Sequence, residues 1–327
     1  MISMNRLVRV IKRRASRQLD RIRPFPSEPP RCVIFLYHTV ESRPQPWTKG
    51  HRYVTTFDQF KTQIGYIKEH FDVVSSTELI GKLLTKEFIR NTAAIHFDDG
   101  FLNYAELVVP FLRKQKIHST VFLIGSVLDG EVPIRNKLAF CLNSGKRSHV
   151  LQTWQKMVNK NNKGRVNLVG MGNKDILAWS KLGISNELEE VVESVYALCE
   201  KKDPHPFLDR EIALELKKEP YVEFGSHTFR HLMLSQLVCE QQRYEILEGH
   251  RDLEQFLGMK LMHFAYPYGG RTHFNNISEK IVREHDLMAA YSSYGGVNVE
   301  FCSTDVKRIS INSHSPKDIK LSVLSAL

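Results

Sequence analysis

Two adjacent carboxylates stand at the end of an apolar, strand-like run. Asp98 and Asp99 follow Thr92–Phe97 and directly precede Gly100. Two acids at the end of a strand can serve different functions, because one carboxylate can hold a metal ion while its neighbour accepts or donates a proton. An Asp-Asp-Gly sequence is also a common turn with solvated acids, so both interpretations stay open for this motif alone.

Two histidines four residues apart supply a second set of metal-binding groups. If their segment is helical, His227 and His231 share one face of the helix, and neutral imidazoles suit Zn²⁺ or a similar ion. With one aspartate they would make an open site that has room for water and substrate, and a bound metal lowers the pKa of water toward about 7. Such a pair also arises often by chance, so the metal site is a hypothesis at this point.

Two further polar features follow runs that read as strands. Tyr37-His38 ends one run, and Tyr266-Pro267-Tyr268 ends another. His38 could donate a proton to a leaving amine, and Pro267 fixes φ so that the next backbone N–H can point at a developing oxyanion. The chemistry of parallel α/β barrels gathers where strands end. The coincidence of four such features therefore predicts a metal-dependent hydrolase, while a packed tyrosine, a surface histidine and a simple turn are the structural alternatives.

The order of apolar runs predicts the scaffold that positions these groups. Strand-like and helix-like segments alternate over residues 31–128 and again over 221–327, which is typical of a parallel sheet or barrel. Residues 129–220 are richer in charge and in helical periodicity, and we interpret them as a helical insertion with a flexible loop at 159–164. A strand at 308–311 closes the sheet in this interpretation.

The composition bounds the class of protein. A chain of 327 residues with 42% hydrophobic and 25% charged residues can form one large globular domain or two smaller ones. The five cysteines include no CxxC pair, so neither a zinc ribbon nor a disulfide framework is indicated. Their odd number favours a reducing compartment.

Much of the net charge of +10 comes from residues 1–23 of a tail that we place at residues 1–30. Eight lysines and arginines stand there against one acid, Asp20, with apolar residues at roughly helical spacing. The segment is either a solvated tail or a peripheral contact with anionic lipid, to which each cation contributes about 1 kcal/mol. No apolar run there approaches the length of a secretory signal, so we expect a cytoplasmic protein, free or peripheral on the inner membrane face. No nucleic-acid partner is expected, because no nucleic-acid module accompanies the charge.

Three segments together resemble the polysaccharide deacetylase family, which is carbohydrate esterase family 4 with its NodB-homology domain. Residues 97–100, 227–231 and 264–269 match the first three motifs of that family in order and in their placement at strand ends. The resemblance covers residues 31–128 and 221–312. It implies an α/β fold, a distorted (β/α)-barrel of the NodB type that here carries a helical insertion. It also implies hydrolysis of an N-acetyl group on an amino sugar, which releases acetate and a free amine.

The resemblance assigns roles to individual residues. Asp99, His227 and His231 would hold a divalent metal, foremost Zn²⁺, with Ni²⁺, Co²⁺ or Fe²⁺ as alternatives. Asp98 would be the general base that activates the metal-bound water. The backbone N–H of Tyr268 would help to stabilise the tetrahedral oxyanion.

Two positions depart from the usual pattern of the family. Ala265 stands where many members carry the arginine that supports the base through a salt bridge. Asn312 stands where the late motif has its histidine acid, and the chain instead resembles the permuted branch of poly-N-acetylglucosamine deacetylases, in which an early Tyr-His supplies the acid. We therefore assign the acid to His38, with His314 as the alternative. Substrate contacts are assigned to three residues: Tyr266, Pro267 and His314.

The predicted function is removal of an N-acetyl group from an amino sugar in a glycan or a glycan precursor. An intracellular location fits a nucleotide-linked or lipid-linked amino sugar better than a secreted polymer. A deformylase or another amidase acting on a modified sugar would share all the catalytic parts. A non-catalytic carbohydrate-binding protein would keep the barrel without its chemistry, and the missing arginine and late histidine motivate that alternative.

Overall fold

The computed structural model describes residues 32–87, 91–160, 167–181, 186–200, 205–285 and 287–326. Its strands are β1 (Cys32–Tyr37), β2 (Thr39–Glu41), β3 (Val54–Thr56), β4 (Asp72–Val73), β5 (Thr92–Phe97), β6 (Ser119–Leu123), β7 (Val222–Ser226), β8 (His263–Ala265), β9 (Ala289–Tyr291) and β10 (Ile309–Ser310). The main sheet is parallel and runs in the order β10-β1-β5-β6-β7-β8-β9, with β4 also paired to β5. Strands β2 and β3 form a separate parallel pair.

The helices surround this sheet. They are α1 (Phe57–His70), α2 (Ser76–Thr85), α3 (Val109–Gln115), α4 (Ile134–Asn143), α5 (Arg147–Lys160), α6 (Asn173–Ser180), α7 (Asn186–Tyr196), α8 (Arg210–Leu216), α9 (Cys239–Arg243), α10 (Gly249–Leu257), α11 (Asn276–Arg283) and α12 (Pro316–Leu324). Short π-helical turns precede α3 (Tyr104–Val108) and α10 (Tyr244–Glu248). Helix α1 begins at Phe57, because Thr56 and Gln59 form a reciprocal capping box at its N-terminus.

One short segment pairs with both edges of the curled sheet. On one side, Ile309 of β10 lies opposite Phe35 of β1. On the other side, Val306 bridges to Tyr291 at the end of β9, and the Val306 N–H donates to the Ala290 carbonyl at 2.9 Å. The sheet thereby curls into the distorted (β/α)-barrel that the sequence predicted, and the predicted closing strand at 308–311 is observed as β10.

Both faces of the barrel strands are buried, which explains why the strands read as continuous apolar runs. All six residues of β1 and all six of β5 are buried. The residues of β1 alternate between two clusters: Phe35 and Tyr37 pack with the surrounding helices, whereas Ile34 packs with Phe122 and Tyr291 from neighbouring strands. Gly225 of β7 leaves room inside, because a Cβ there would lie 2.5 Å from the Phe122 ring.

Helices α4 to α8 lie within residues 129–220. Most of them share a second apolar cluster, which includes Trp47 from the segment between β2 and β3. The Trp47 ring stacks on Phe140 of α4 with centroids 4.0 Å apart. By contrast, Ala213 and Leu216 of α8 belong to the main barrel core. The insertion is therefore anchored to the barrel by its last helix and by the segment that follows β1.

The structure differs from the sequence-based expectation in two places. Residues 41–56, whose sequence predicts a loop, contain β3 and the end of β2. Residues 227–231 do not form the helix that would place two histidines on one face, and are an irregular loop instead. The tail at 1–30 lies outside the described residues, as does most of the predicted loop at 159–164. Among the described helices, none has the length and apolar character that crossing a membrane requires.

Candidate active site

The two adjacent aspartates occupy a tight turn at the end of β5. The Asp98 N–H donates to the Tyr37 carbonyl at 3.1 Å, so the turn stays attached to the neighbouring strand. The backbone then enters the left-handed region, with φ of 77° at Asp99 and 74° at Gly100. A non-glycine residue in that region is strained, and such strain concentrates at functional sites. Both carboxylates are buried at this end of the barrel.

Asp98 forms a two-pronged ion pair with Arg308. The Nη1 and Nη2 atoms of Arg308 donate to the Oδ1 and Oδ2 atoms of Asp98 at 2.7 and 2.8 Å, and Arg308 is fully buried. Its Nε also donates to the Ser292 carbonyl at 3.0 Å. Burial alone would raise the pKa of Asp98, but the Arg308 guanidinium holds that pKa below its usual range. The arginine missing at Ala265 is thus replaced by one that precedes β10.

Asp99 lies against two imidazoles. Its Oδ1 atom is 3.4 Å from the Nε2 atoms of both His227 and His231. One potential ligand atom from each of the three residues can be chosen so that all lie within 4.8 Å of one another. The Asp99 Oδ1 atom is buried and accepts no hydrogen bond from the described residues. A buried carboxylate oxygen without a donor is costly, and a cation between the three groups would satisfy it.

The two histidines offer nitrogen donors, and their pKa values shift in opposite directions. The Nδ1 atom of His227 lies 2.7 Å from the Ala265 carbonyl, and as the donor in that bond it leaves Nε2 with a lone pair. Burial lowers the pKa of His231 to about 3, so its ring is neutral near pH 7. Burial raises the pKa of Asp99, but the nearby His231 and His227 rings outweigh it, and the carboxylate stays ionised. Burial lowers the pKa of His227, but the charges of Asp98 and Asp99 outweigh burial and raise that pKa, so a bound cation would displace a proton from its ring. Two imidazoles and one carboxylate form a donor set that fits Zn²⁺ and similar divalent ions.

The loop that carries both histidines is fixed by contacts on two sides. It turns at Thr228 and His231, whose φ angles are 63° and 61°. The Arg230 N–H and Nε both donate to the buried Glu245 carboxylate at 2.8 Å. Gly249 at the start of α10 allows close packing, because a Cβ there would lie 2.7 Å from the Phe229 nitrogen. These contacts to Glu245 and Gly249 therefore fix the loop, and with it the positions of His227 and His231.

A cavity of about 1540 Å³ opens above these groups. His38, Asp99, His231 and Tyr268 line it on the barrel side, and residues of α4, α6 and α7 line it on the insertion side. Its size exceeds the range of about 300–1,000 Å³ that is typical of small-molecule sites. The structure thus brings the predicted acid, two of the predicted metal ligands and the predicted oxyanion residue to one cavity beneath the insertion.

His38 occupies the end of β1 on the wall of this cavity. Its ring stacks on Tyr53 with centroids 5.0 Å apart, and the Tyr53 ring stacks in turn on His51 at 4.6 Å. The Nδ1 atom of His38 is buried and makes no hydrogen bond with the described residues. Burial lowers the pKa of His38, and the charges of Asp99 and Asp98 oppose that shift. A proton on this ring is therefore easily given up.

Tyr268 follows the proline turn that was predicted from the sequence. It has a φ of 61°, and its carbonyl accepts a hydrogen bond from Ser293 Oγ at 2.8 Å. Its ring lies 4.8 Å from that of His231, centroid to centroid. The next residue must be glycine, because a Cβ on Gly269 would collide with Ser293. The turn is thus rigid and adjacent to the metal-ligating groups, while the role of the Tyr268 N–H stays a prediction.

Three predicted substrate contacts do not line the cavity. Tyr266 is fully buried, its ring stacks on Phe274 at 4.0 Å, and its hydroxyl donates to the Thr304 carbonyl at 3.0 Å. Pro267 is buried as well. His314 lies beyond β10, where its carbonyl accepts a hydrogen bond from Gln63 at 2.7 Å. These placements correct the prediction: Tyr266 is a core residue, and the cavity wall from the same segment as His314 is formed by Ser310, Asn312 and Ser313.

Sequence reasoning missed several residues that the structure brings to the site. Arg308 was read only as part of a closing strand, although a charged residue beside an apolar strand was a usable signal. His51 and Tyr53 lie between β2 and β3, and Arg135 lies in the insertion. These three carry no motif, and only the fold brings them to the cavity.

Comparisons with known proteins agree with this geometry. A family profile described as polysaccharide deacetylase matches residues 85–290. No curated protein matches the chain. Among solved structures, the deacetylase PplD of Streptococcus pyogenes in complex with acetate is 16% identical, with a TM-score of 0.60, over 89% of this chain and 97% of that one.

Two other solved structures have the same fold. IcaB of Ammonifex degensii is 17% identical, with a TM-score of 0.57, over 89% of this chain and 96% of its own. A de-N-acetylase of Aggregatibacter actinomycetemcomitans is 12% identical, with a TM-score of 0.55, over 89% of this chain and 99% of its own. The likeness thus extends over nearly the full length of each of these proteins.

Proposed function

The chain belongs to the polysaccharide deacetylase family of carbohydrate N-deacetylases, and we propose that it removes the N-acetyl group of an amino sugar, in a glycan or glycan precursor, by metal-dependent hydrolysis. The observation that carries the proposal is the convergence of Asp99, His227 and His231 beside the buried Asp98–Arg308 pair. A metal-binding set next to an ionised carboxylate provides the two functions that amide hydrolysis by water requires.

Asp99, His227 and His231 would hold the divalent cation. When bound, such an ion polarises the acetamide carbonyl and acidifies water, which is its chemical contribution. Zn²⁺ is the foremost candidate, and Ni²⁺, Co²⁺ and Fe²⁺ accept the same nitrogen and oxygen donors. The unpartnered Oδ1 atom of Asp99 supports this assignment from the protein's side.

Asp98 is the proposed general base. Its carboxylate stays ionised because Arg308 lowers its pKa, and the same two hydrogen bonds fix its orientation. Each carboxylate oxygen keeps a lone pair after bonding to Arg308, so Asp98 can still accept a proton from the attacking water. The Asp98 Oδ2 atom is 3.9 Å from His227 Nε2, so the proposed base lies directly beside one of the proposed metal ligands.

Two further groups complete the proposed reaction. The Tyr268 N–H would donate to the oxyanion that forms when water adds to the acetamide carbon. His38 would donate a proton to the nitrogen as the carbon–nitrogen bond breaks, so that the amine leaves in neutral form. The proton that Asp98 takes from water and the proton that His38 gives balance the hydrolysis to acetic acid and a free amine, and the acetic acid then loses its proton to solvent and leaves as acetate.

The structure bears on the alternatives. A non-catalytic carbohydrate-binding protein was motivated in part by a missing arginine, and Arg308 now fills that role. An amidase acting on a formyl or another acyl group would use the same residues, so only the identity of the released acid distinguishes it. N-deacetylation is the reaction that family membership favours.

The test is acetate release from a panel of N-acetylated sugars: neutral oligomers, nucleotide-linked sugars and lipid-linked sugars, each with and without a chelator. We expect release that the chelator abolishes and that added Zn²⁺ restores. Release of a different acid from matched N-formyl sugars would favour the amidase alternative. Tight glycan binding by the metal-loaded protein without release of any acid would contradict the proposal.

We also propose that residues 1–23 make a peripheral contact with anionic membranes and keep the protein at the cytoplasmic face. The support is the concentration of eight lysines and arginines against a single acid in that segment. Liposome flotation of the full chain and of a chain that begins at residue 24 tests it. Equal association of both proteins with anionic vesicles would contradict the proposal.

A further inference from the structure

We propose that the substrate carries a phosphate or diphosphate ester next to its N-acetylated sugar, and that Arg52, Arg135 and Lys181 bind this group. The inference rests on the proposed function, because it concerns the substrate of the same site. It adds a class of substrate, a phosphorylated amino sugar, which the catalytic groups themselves do not specify.

The three cations come from three separate elements and meet at one cavity. Arg52 lies just before β3, Arg135 is on α4, and Lys181 directly follows α6. All three line the same cavity as Asp99 and His231. An anion bound to them would therefore occupy the enclosed space that also contains the proposed metal ligands.

Two other cations at this cavity, Lys137 and Arg230, are neutralised by carboxylates, and these three are not. Lys137 Nζ lies 2.7 Å from Glu193 and 3.6 Å from Glu131, while Arg230 is paired with Glu245 at 2.8 Å. Within the described parts of the chain, no carboxylate lies within ion-pair distance of Arg52, Arg135 or Lys181. Three unneutralised positive charges at the mouth of a cavity are a recognisable anion site.

Arg135 is held in place by neutral acceptors. Its Nη2 atom donates to the Leu177 carbonyl at 2.8 Å, and its Nε donates to Ser180 Oγ at 3.3 Å. Its guanidinium carbon lies 5.8 Å from the centroid of the Tyr268 ring. The fixed arginine thus reaches from the insertion toward the proposed oxyanion residue, and its charge is available to a ligand.

The three cations line one cavity, and their charges repel one another. Lys181 keeps solvent contact, yet burial by the cavity walls, followed by the charges of Arg135 and Arg52, lowers its pKa. The protein maintains this repulsion without an internal counter-ion among its described residues. A bound anion would relieve it.

A phosphate ester fits the cluster better than a carboxylate does. Three cations exceed the single negative charge of a carboxylate, whereas a diphosphate diester carries two charges and several acceptor oxygens. Guanidinium groups also bind phosphate oxygens through paired hydrogen bonds. The cavity volume of about 1540 Å³ leaves room for a sugar together with a diphosphate.

The first arm of the test measures anion binding without catalysis. Pyrophosphate is titrated calorimetrically into chelator-treated protein, into the double variant Arg52→Gln/Lys181→Gln, and into the control Lys114→Gln/Lys156→Gln. Lys114 and Lys156 are exposed cations of α3 and α5 that do not line the cavity, so their variant controls for the loss of two positive charges. We expect the double variant to bind at least about tenfold more weakly than the wild type and the control, because it loses two charge-assisted contacts. Equal binding by all three proteins would overturn the proposal.

The second arm measures acetate release from matched substrates. One N-acetylhexosamine is offered as its neutral methyl glycoside, as a nucleoside diphosphate ester and as a polyprenyl diphosphate ester. We expect kcat/KM to be higher for a diphosphate ester than for the glycoside, and the double variant to lose that advantage through KM. The preferred ester distinguishes a nucleotide carrier from a lipid carrier. Equal kcat/KM for charged and neutral substrates would overturn the inference.

Failure of the proposed function would look different. If no substrate released acid while pyrophosphate binding still depended on Arg52 and Lys181, the anion site would stand and the deacetylase assignment would fall. If the double variant bound pyrophosphate and deacetylated the diphosphate esters as well as the wild type does, the deacetylase would stand and the phosphate site would fall.

Discussion

Arg308 and Asp98 are 210 residues apart in the sequence, and they form a fully hydrogen-bonded ion pair in the interior of the barrel. The arginine sits between Val306, which pairs with β9, and Ile309, which pairs with β1. The residues that close the barrel thus also hold the proposed base in its ionised form.

Arg308→Lys should keep the charge and lose the two-pronged geometry. A single ammonium supports the carboxylate less well, so the pKa of Asp98 should rise. The base works when ionised, and activity is lost as the pH falls through its pKa, so the acid limb of kcat/KM should move to higher pH. A pH profile with an unmoved limb would contradict the assigned role. Arg308→Met, which strands a buried carboxylate, should cost about 3–5 kcal/mol in the free energy of unfolding.

Asp98→Asn should separate catalysis from metal binding. Because Asp98 is not among the proposed ligands, the variant should bind metal with unchanged stoichiometry while kcat falls by at least about 10²–10⁴-fold. Asp99→Asn and His231→Ala should lose both metal and activity. Metal content by atomic emission, measured beside acetate release, checks the contrast. Substantial activity in Asp98→Asn would remove this residue as the base.

His38→Gln should lower kcat by about 10²–10⁴-fold, as expected for the loss of a general acid, and should leave metal binding intact. His314→Gln is the matched control, because His314 lies outside the cavity wall. The measurement is kcat for both variants on the best substrate of the panel. A large loss in His314→Gln together with a small one in His38→Gln would reverse the assignment of the acid.

Gly249→Ala should disturb the loop that carries the two histidines. The new Cβ would lie 2.7 Å from the Phe229 nitrogen, so the backbone must shift, and overpacking of this kind costs about 1–3 kcal/mol. Metal affinity should fall as well, since the loop positions His227 and His231. Gly65→Ala in α1, where a Cβ meets nothing within 4 Å, should instead stabilise the protein by about 0.5–1 kcal/mol. Urea unfolding and metal titration of both variants test this, and an unchanged metal affinity in Gly249→Ala would refute it.

His263 should make the stability of the protein depend on pH between 7 and 5. Its ring nitrogens bond to Thr77 and Tyr291, and burial lowers its pKa to about 4. In the unfolded chain it takes up a proton near pH 6.5, so the unfolded state binds more protons in this window and stability falls as the pH falls. The free energy of unfolding should therefore be about 2 kcal/mol lower at pH 5 than at pH 7.

His263→Gln should have a flatter profile than the wild type, which isolates this residue from the other histidines. Urea unfolding at pH 7 and pH 5 provides the comparison. Parallel profiles of the two proteins would show that His263 does not contribute.

Local sequence patterns predicted much of the barrel and of its site. The runs at Cys32–Tyr37 and Thr92–Phe97 are buried on both faces, so they read as apolar throughout, and their bounds follow from where polar residues begin. Because parallel strands end at one edge, the groups after β1, β5 and β7 could be expected to meet. The resemblance to the family motifs then identified Asp99, His227 and His231 as candidate metal ligands. The structure places these three residues together.

The remaining features depend on contacts that no local pattern contains. The sequence around Asp98 does not indicate that this residue pairs with Arg308, which lies 210 residues away. Thr228 and His231 adopt left-handed backbone angles although neither is a glycine, because Glu245 and α10 hold the loop. Tyr266 was misjudged through its neighbours, since the chain direction at the proline turn sends one tyrosine into the core and the other to the cavity.

The position of Arg308 in the chain also sets the order in which activity can arise. A chain emerging from the ribosome presents Asp98 210 residues before the arginine that keeps this carboxylate ionised. Until residues 306–310 pair with β9 and β1, the sheet lacks the segment that joins its edges and the proposed base lacks its arginine. We therefore expect a nascent or partly opened molecule to be inactive, and hydrolysis to begin only when β10 closes the barrel.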